Sequence, residues 1–375
     1  MKYHRITIHL HHQYNAVTHH WEQATEELLS SVVAQKQIVR LVLFTDCKDN
    51  QTYIAQRSFV EQWVERHFAS PRPVVSLVAQ PPLAAYLSLE FHTLEEVDDP
   101  ALSIEERFTP SAIRYLCIIT PHYREIVAGG LYADNLDLPV CEQSEQVFRK
   151  AAAILAAEEM HFGNIVRQWN YLEQITGVAH GNQCYQDFND RRTLFYATSE
   201  WLTGYPAATG IGTCHGGVTI DFNAVCGEVD IRPLDNDLQR APHVYSDSVL
   251  VGHRANTPKG TPKFERGKVL SDASQQIVYI SGTAAIRGEE SAFSTDVQIQ
   301  TAITLENIRH LIAQVSEDAA PDYLRVYLKH EADQPTVKAY MDSLYPDIPI
   351  AYLCADVCRP ELLVEIEGTA HAYRT

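Results

Sequence analysis

Positive charge is scarce in this sequence: 30 Lys and Arg stand against 48 Asp and Glu in 375 residues, a formal charge of −18 and a pI of about 5.3. A nucleic-acid binder needs a net-basic face to displace condensed counterions, so the balance argues against that class. Long apolar runs are missing as well. The opening MKYHRITIHLHHQYN alternates polar and apolar residues and holds nothing of the length a signal peptide or spanning helix needs, which points to the cytoplasm and away from a membrane. The eight cysteines include no CxxC pair, so neither a zinc ribbon nor a thioredoxin-type site is signalled and reduced thiols are expected. Phosphate-loop and nucleophile-elbow motifs are absent too, and the glycines of GIGTCHGG read as tight turns. Alternate histidines on a strand share a face, but His9, His11, His12, His19 and His20 have no carboxylate or cysteine spaced to complete a metal site.

What is present is the composition of an ordinary globular chain, 45% hydrophobic and 21% charged, long enough for two or three units. Strand patterns fall at Tyr3–Leu10, Gln37–Phe44 and Tyr115–Thr120, and helical spacing at Ala16–Gln35 and Ser58–Phe68. Glu142–Trp169 reads as one long helix-like stretch; from Asn170 to about Val269 the texture turns to short strands, aromatics and a long polar connection. The last hundred residues are the most regular: strand, helix, strand, helix, strand, strand, which predicts an α+β unit with helices on one face of a mixed sheet. This divides the chain into an N-terminal α+β region (1–145), related or smaller, a helix plus central substrate-site segment (146–270), and a C-terminal module (271–375).

Ser281-Gly282-Thr283-Ala284, the helix after Asp296 with Leu305, Asn307 and Ile308, Arg325-Val326-Tyr327 and the closing Val364-Glu365-Ile366-Glu367 resemble a RidA-type (reactive intermediate deaminase) module. Deaminases of that kind hold the substrate carboxylate with an arginine on the strand before the closing one. Here that stretch is Ile350–Asp356, with no arginine until Arg359, so imine hydrolysis is disfavoured. Further motifs, Val166–Leu172 (VRQWNYL), Tyr185–Asn189 (YQDFN) with Arg192, Pro206–Gly212 (PAATGIG) and Ala355–Glu367 (ADVCRPELLVEIE), resemble the chorismatase family. That resemblance implies a RidA-like fold that removes pyruvate from chorismate, giving 3-hydroxybenzoate or, in a hydrolytic branch, a dihydroxycyclohexadiene carboxylate. It implies no cofactor, and a small carboxylate as partner, chorismate or a relative of it. A non-catalytic small-acid-binding protein on the same scaffold is the alternative, and monomer or homo-oligomer is left open, although RidA modules commonly form trimers and a longer chain could imitate one internally.

Cleaving an enolpyruvyl ether is easiest when a carboxylic acid protonates the terminal methylene, which requires an acid kept protonated near neutral pH by apolar burial. Glu365, between Val364 and Ile366, fits and occupies the family's acid position, while Glu367, on the same face by the period-2 rule, reads as solvated. Cys358 precedes Glu365 by seven residues, near enough to approach it on paired strands; the resemblance links it, with Gly282, to the aromatising branch. Two carboxylates on the substrate call for arginines. Arg192 and Arg325 are the expected pair, with Tyr185, Asn170 and Tyr171 as polar partners. Two departures from the family pattern are the Arg287 turn and the long, polar 238–268 segment.

Overall fold

Three times along the chain the same order of elements recurs: strand, helix, strand, helix, strand, strand. The computed structural model describes residues 5–14, 20–35, 37–94, 101–179, 181–246, 249, 259–272, 275–292 and 294–373. His19, the first residues of the strand and helix expected from Tyr3 and Ala16, and 247, 248 and 250–258 of the polar segment lie outside that range. The first unit comprises β1 (Ile6–Gln13), α1 (Trp21–Ser30), β2 (Ile38–Phe44), α2 (Asn50–His67), β3 (Val74–Val78) and β4 (Leu87–Leu94). A hairpin, β5 (Ser103–Phe108) and β6 (Arg114–Ile119), leads into the second: β7 (Tyr123–Tyr132), α3 (Val140–Ala157), β8 (Ile165–Glu173), the short β9 (Val178–Ala179) and β10 (Asn182–Gln183), α4 (Cys184–Tyr196), β11 (Ala207–Thr213) and β12 (Val218–Gly227). Strands β13 (Asp230–Leu234) and β14 (Gly267–Ser271) precede the third: β15 (Gln275–Ala284), the small hairpin β16 (Ile286–Arg287) and β17 (Glu290–Ser291), α5 (Val297–Ala313), β18 (Ala320–Leu328), α6 (Gln334–Leu344), β19 (Ile350–Cys354) and β20 (Val364–Tyr373).

Sheet order repeats with the elements. It is β1-β4-β2-β3 in the first sheet, β7-β12-β8-β11 within the second and β15-β20-β18-β19 within the third, so each unit pairs its first strand with its last and its second with its third. In every case the second and third strands run parallel and the last strand is antiparallel to its neighbours. The α+β reading with helices on one face of a mixed sheet holds, and the preceding region is a pair of related units.

Alternation explains which face goes where. In the third unit Leu324, Val326, Val364 and Ile366 pack against Leu305, Ile308 and Met341 of the two helices. The opposite faces of all three sheets meet at the centre, where Val42, Phe44, Trp169, Tyr171, Tyr327 and Leu353 form one cluster. Helix starts follow capping chemistry: Asp49 accepts from the Thr52 N–H at 2.7 Å and Asp296 from the Gln298 N–H at 2.8 Å. No helix among the described residues is long and apolar enough to cross a membrane.

Two expectations are corrected. The stretch Glu142–Trp169 is not one helix. It ends at Ala157, where Glu159 takes a left-handed conformation (φ 58°) and Met160 N–H returns to the Leu155 carbonyl at 2.8 Å; Ile165 then opens β8. In the region read as short strands, α4 forms a helix of 13 residues whose buried face is largely polar (Gln186, Asp187, Asn189, Arg192), so it carries no apolar stripe to announce it.

Candidate active site

The cavity that gathers the expected residues lies where β11 of the second unit meets β15 and β20 of the third. The junction is stitched by Ser281 Oγ, which accepts from the Ala208 N–H at 3.0 Å and donates to the Glu265 carbonyl at 2.6 Å. The cavity is walled by Tyr185, Gly282, Cys358 and Glu365, with Ala208, Ala284 and Leu362 among the apolar surfaces, the mix of apolar wall and few polar groups typical of ligand sites. A larger open cleft adjoins it through Arg359.

Glu365 is buried, on the face of β20 opposite Val364 and Ile366, as the family resemblance implies. Burial is the main force on its carboxyl and pushes it up to about 8, against the pull of Arg266 and Arg167. At neutral pH it therefore holds its proton. Gly282 stands beside it at a bulge in β15: a Cβ here would run into Glu365 Oε1 and come within 3.1 Å of Thr209 Cγ2. The space that glycine leaves is thus occupied first by the acid itself. Cys358 does not sit on a strand paired with β20, as expected, but in the β19–β20 loop, whose Cys358 carbonyl accepts from Gln183 Nε2 at 2.8 Å. Its side chain still reaches the cavity. Burial, reinforced by Glu365, raises the thiol to about 12, so it is neutral rather than a thiolate.

Tyr185 lines the cavity from the first turn of α4. Arg192, two helical turns further on and fully buried, does not line it; it stands behind Tyr185, whose hydroxyl is pushed up by burial against the pull of this arginine. The arginines on the cavity wall are two others. Arg266, at the entry to β14, is 2% exposed, donates through Nη2 to the Arg240 carbonyl at 2.8 Å and to Tyr245 Oη at 2.5 Å, and keeps a buried Nε–H with no partner. Arg359 is tied to the Glu289 carbonyl at 2.9 Å and to Ser291 Oγ at 3.2 Å. The sequence reading passes over Arg266, which lies in the 238–268 segment that it takes as a departure from the family pattern.

The remaining expected ligands belong elsewhere, and here the structure corrects the sequence reading. Arg325 is enclosed at the centre of the molecule: Nε and Nη2 each donate to Glu90 at 2.6 Å, and Nη1 donates to Glu367 at 3.0 Å and to Tyr171 Oη at 2.9 Å. A guanidinium so occupied has no donor to offer a substrate, and Tyr171 is engaged with it. Asn170 ties strands together, donating to the Thr209 carbonyl at 2.9 Å and accepting from Gln168 at 2.5 Å. Glu367, expected to be solvated, is 1% exposed and accepts from Arg325, Arg167, Thr209 and Tyr327. Arg287 pairs with Glu306 and Asn307 of α5 rather than with the cavity. Of the histidines, His9, His11 and His12 bond Thr93, Ser31 and Ser88; among the described residues no three potential ligands come together for a metal.

Register explains why one junction of three makes such a site. Glu365 pairs with Ala284 and Tyr327; the equivalent position in the second unit is Thr219, paired with Tyr132 and Tyr171, and in the first Ser88, paired with His12 and Phe44. Only the third unit sets an acid beside a side chain as small as alanine. At the other two junctions a hydroxyl faces Tyr132 or His12.

Comparison with known proteins agrees with this geometry. Residues 125–224 match the family described as "Chorismatase FkbO/Hyg5-like, N-terminal". A 3-hydroxybenzoate synthase of Streptomyces hygroscopicus is 32% identical over 228 residues, and a chorismatase of Streptomyces rapamycinicus 34% identical over 230 residues. The matched stretches take in 56% and 55% of this chain and 64% of each relative's own length. A chorismatase crystal structure shares the fold over 97% of this chain and 99% of its own, at 21% identity and a TM-score of 0.67. Residues 125–224 thus resemble a chorismatase-family segment, and the fold of a chorismatase is shared almost end to end.

Proposed function

We propose that the protein removes pyruvate from chorismate, with 3-hydroxybenzoate as the ring product. The observation that carries this reading is Glu365: a carboxyl raised to about 8 by burial, lining a mostly apolar cavity together with two arginines. A protein that merely bound small acids would have no use for a protonated carboxyl, which repays its burial only by giving up the proton.

In this mechanism Arg266 and Arg359 hold the two substrate carboxylates, taking the place expected of Arg192 and Arg325, while Tyr185 closes one wall. Glu365 donates its proton to the enolpyruvyl methylene, which becomes the methyl group of pyruvate, and the ether carbon becomes an oxocarbenium. The carboxylate left behind is stabilised by Arg266, the strongest opposing charge on it. In the aromatising branch no water is consumed: the bond between the ring and the ether oxygen breaks, pyruvate keeps that oxygen as its keto group, the neighbouring ring hydroxyl oxygen shifts to the vacated carbon, and the one proton the ring loses on aromatising balances the one the methylene gained and recharges Glu365. In the hydrolytic branch one water adds and a ring diol leaves. The aromatising branch is favoured by the printed name of one relative, 3-hydroxybenzoate synthase, and by Cys358, a neutral thiol beside the acid that fills a place where water would otherwise stand.

The test is incubation with chorismate, pyruvate being followed through lactate dehydrogenase and the ring product by chromatography and mass. Pyruvate with 3-hydroxybenzoate is expected, and Cys358→Ala should move the product toward the diol. Absence of pyruvate would refute the function, and an unchanged product ratio in Cys358→Ala would remove that residue from the branch choice.

A further inference from the structure

Glu365 has a second carboxylate two residues away on the same face of β20, and the two have opposite surroundings. Glu365 meets Arg266 from the entry to β14, Tyr185 from α4, Cys358 and Arg359 from the β19–β20 loop and Tyr327 across the strand pair. Glu367 meets Arg167 from β8, Arg325 and Tyr327 from β18 and Thr209 from β11. Behind Arg325 stands Glu90, which also engages His92 and Tyr323. Arg40 and Asp221 complete the group, the arginine bonded to Asn223 at 2.8 Å and the aspartate to Ser76 and the Gly130 N–H. Three arginines thus face three acids at the centre, and all three guanidiniums lie 4.6–5.5 Å from the Trp169 ring centroid. The balance is neutral as long as Glu367 is ionised.

This cluster reaches the cavity through the Thr209 hydroxyl. Thr209 Oγ1 donates to Glu367, accepts from Arg167 at 2.9 Å, and accepts at 3.1 Å from the N–H of Gly282, the residue against which the Glu365 carboxyl rests. We propose that Glu367 is a positioning residue that neutralises Arg167 and Arg325, so that their charge does not draw the proton off Glu365. This rests on reading Glu365 as the proton donor. Arg167 is one of the two cations pulling on Glu365, and its ion pair with Glu367 sets an opposing charge against that pull.

Infrared titration of the protonated-carboxyl band, assigned to Glu365 by its loss in Glu365→Gln, reads the effect without substrate. The wild-type midpoint should lie near 8. In Glu367→Gln it should fall by about one pH unit or more, and in Arg167→Gln it should rise. Removing one member of a buried pair can unfold a protein, whereas removing both is often tolerated, so Arg167→Gln/Glu367→Gln is the deciding variant: its midpoint should drop from the Arg167→Gln value back toward wild type. A double variant that keeps the Arg167→Gln midpoint, or two single variants that move the same way, would overturn the proposal. Since no turnover is measured, failure to cleave chorismate would refute the proposed function and leave this result standing on its own.

Discussion

Position 282 shows how one missing methyl group serves a site. Glu365 Oε1 occupies the space where a Cβ would project, and the obstructed atom is the end of a flexible side chain. Gly282→Ala should therefore cost little stability, under about 1 kcal/mol, while swinging the acid away from the substrate and lowering kcat at least tenfold; turnover equal to wild type would show that the carboxyl has no fixed position. Glu365 itself carries a pH signature. Its folded value of about 8 lies above its ordinary 4.5, so between those values the folded protein binds more protons than the unfolded chain and stability falls as pH rises. Pyruvate release should decline through pH 8 for the same reason. Glu365→Gln should abolish it, yet stabilise the fold by about 2 kcal/mol at pH 8 and hardly at all at pH 4, as measured by urea unfolding. Equal effects at both pH values would mean the carboxyl is not held protonated.

Among the elements, α3 shows where pattern reading ran too far. Apolar periodicity continues past Ala157 into Ile165 and Val166, and periodicity alone cannot tell a helix from the buried strand that follows it. The stop is a backbone event: Glu159 adopts φ 58°, its N–H bonds the Ala156 carbonyl at 3.2 Å and the next N–H bonds that of Leu155 at 2.8 Å, a Schellman closure made without the usual glycine. Glu159 is exposed, so Glu159→Gly should relieve the left-handed strain and raise stability by about 0.5 kcal/mol. A destabilised variant in thermal unfolding would contradict this. Helix α4 was missed for the converse reason. Its inward face is polar because it supports the loop beside the cavity, as Gln186 does by donating to the Gly260 carbonyl at 2.9 Å.

At the level of the whole molecule, three units of one connectivity close around a shared centre, and the site forms at one of the three seams. Their last strands carry Glu90, Asp221 and Glu367 in corresponding places, and all three acids are buried with arginines. Two residues before them, the units part: Ser88, Thr219 and Glu365. The VRQWNYL motif, read as part of the substrate site, proves to build the axis, with Arg167, Trp169 and Tyr171 all turned toward it. The centre holds the sheets in register, and the divergence two residues away sets an acid in the cavity of the third unit alone.

The strand and helix order of the last hundred residues could be read along the chain, because alternation is a property of neighbouring residues, whereas the burial of Glu365 and the place of Gly282 and Cys358 near it are expected only from the family resemblance. Which arginine serves the cavity could not be read along the chain. Arg325 and Arg266 are both buried arginines at β-strands, and they differ in what is brought against them: Glu90 from the first unit, with Tyr171 and Glu367, engages Arg325, whereas Arg266 donates to a carbonyl and a tyrosine and keeps an N–H to give. Partners more than two hundred residues apart in sequence meet only through tertiary packing, and it is that packing which decides whether a charge is spent on the fold or left for a substrate.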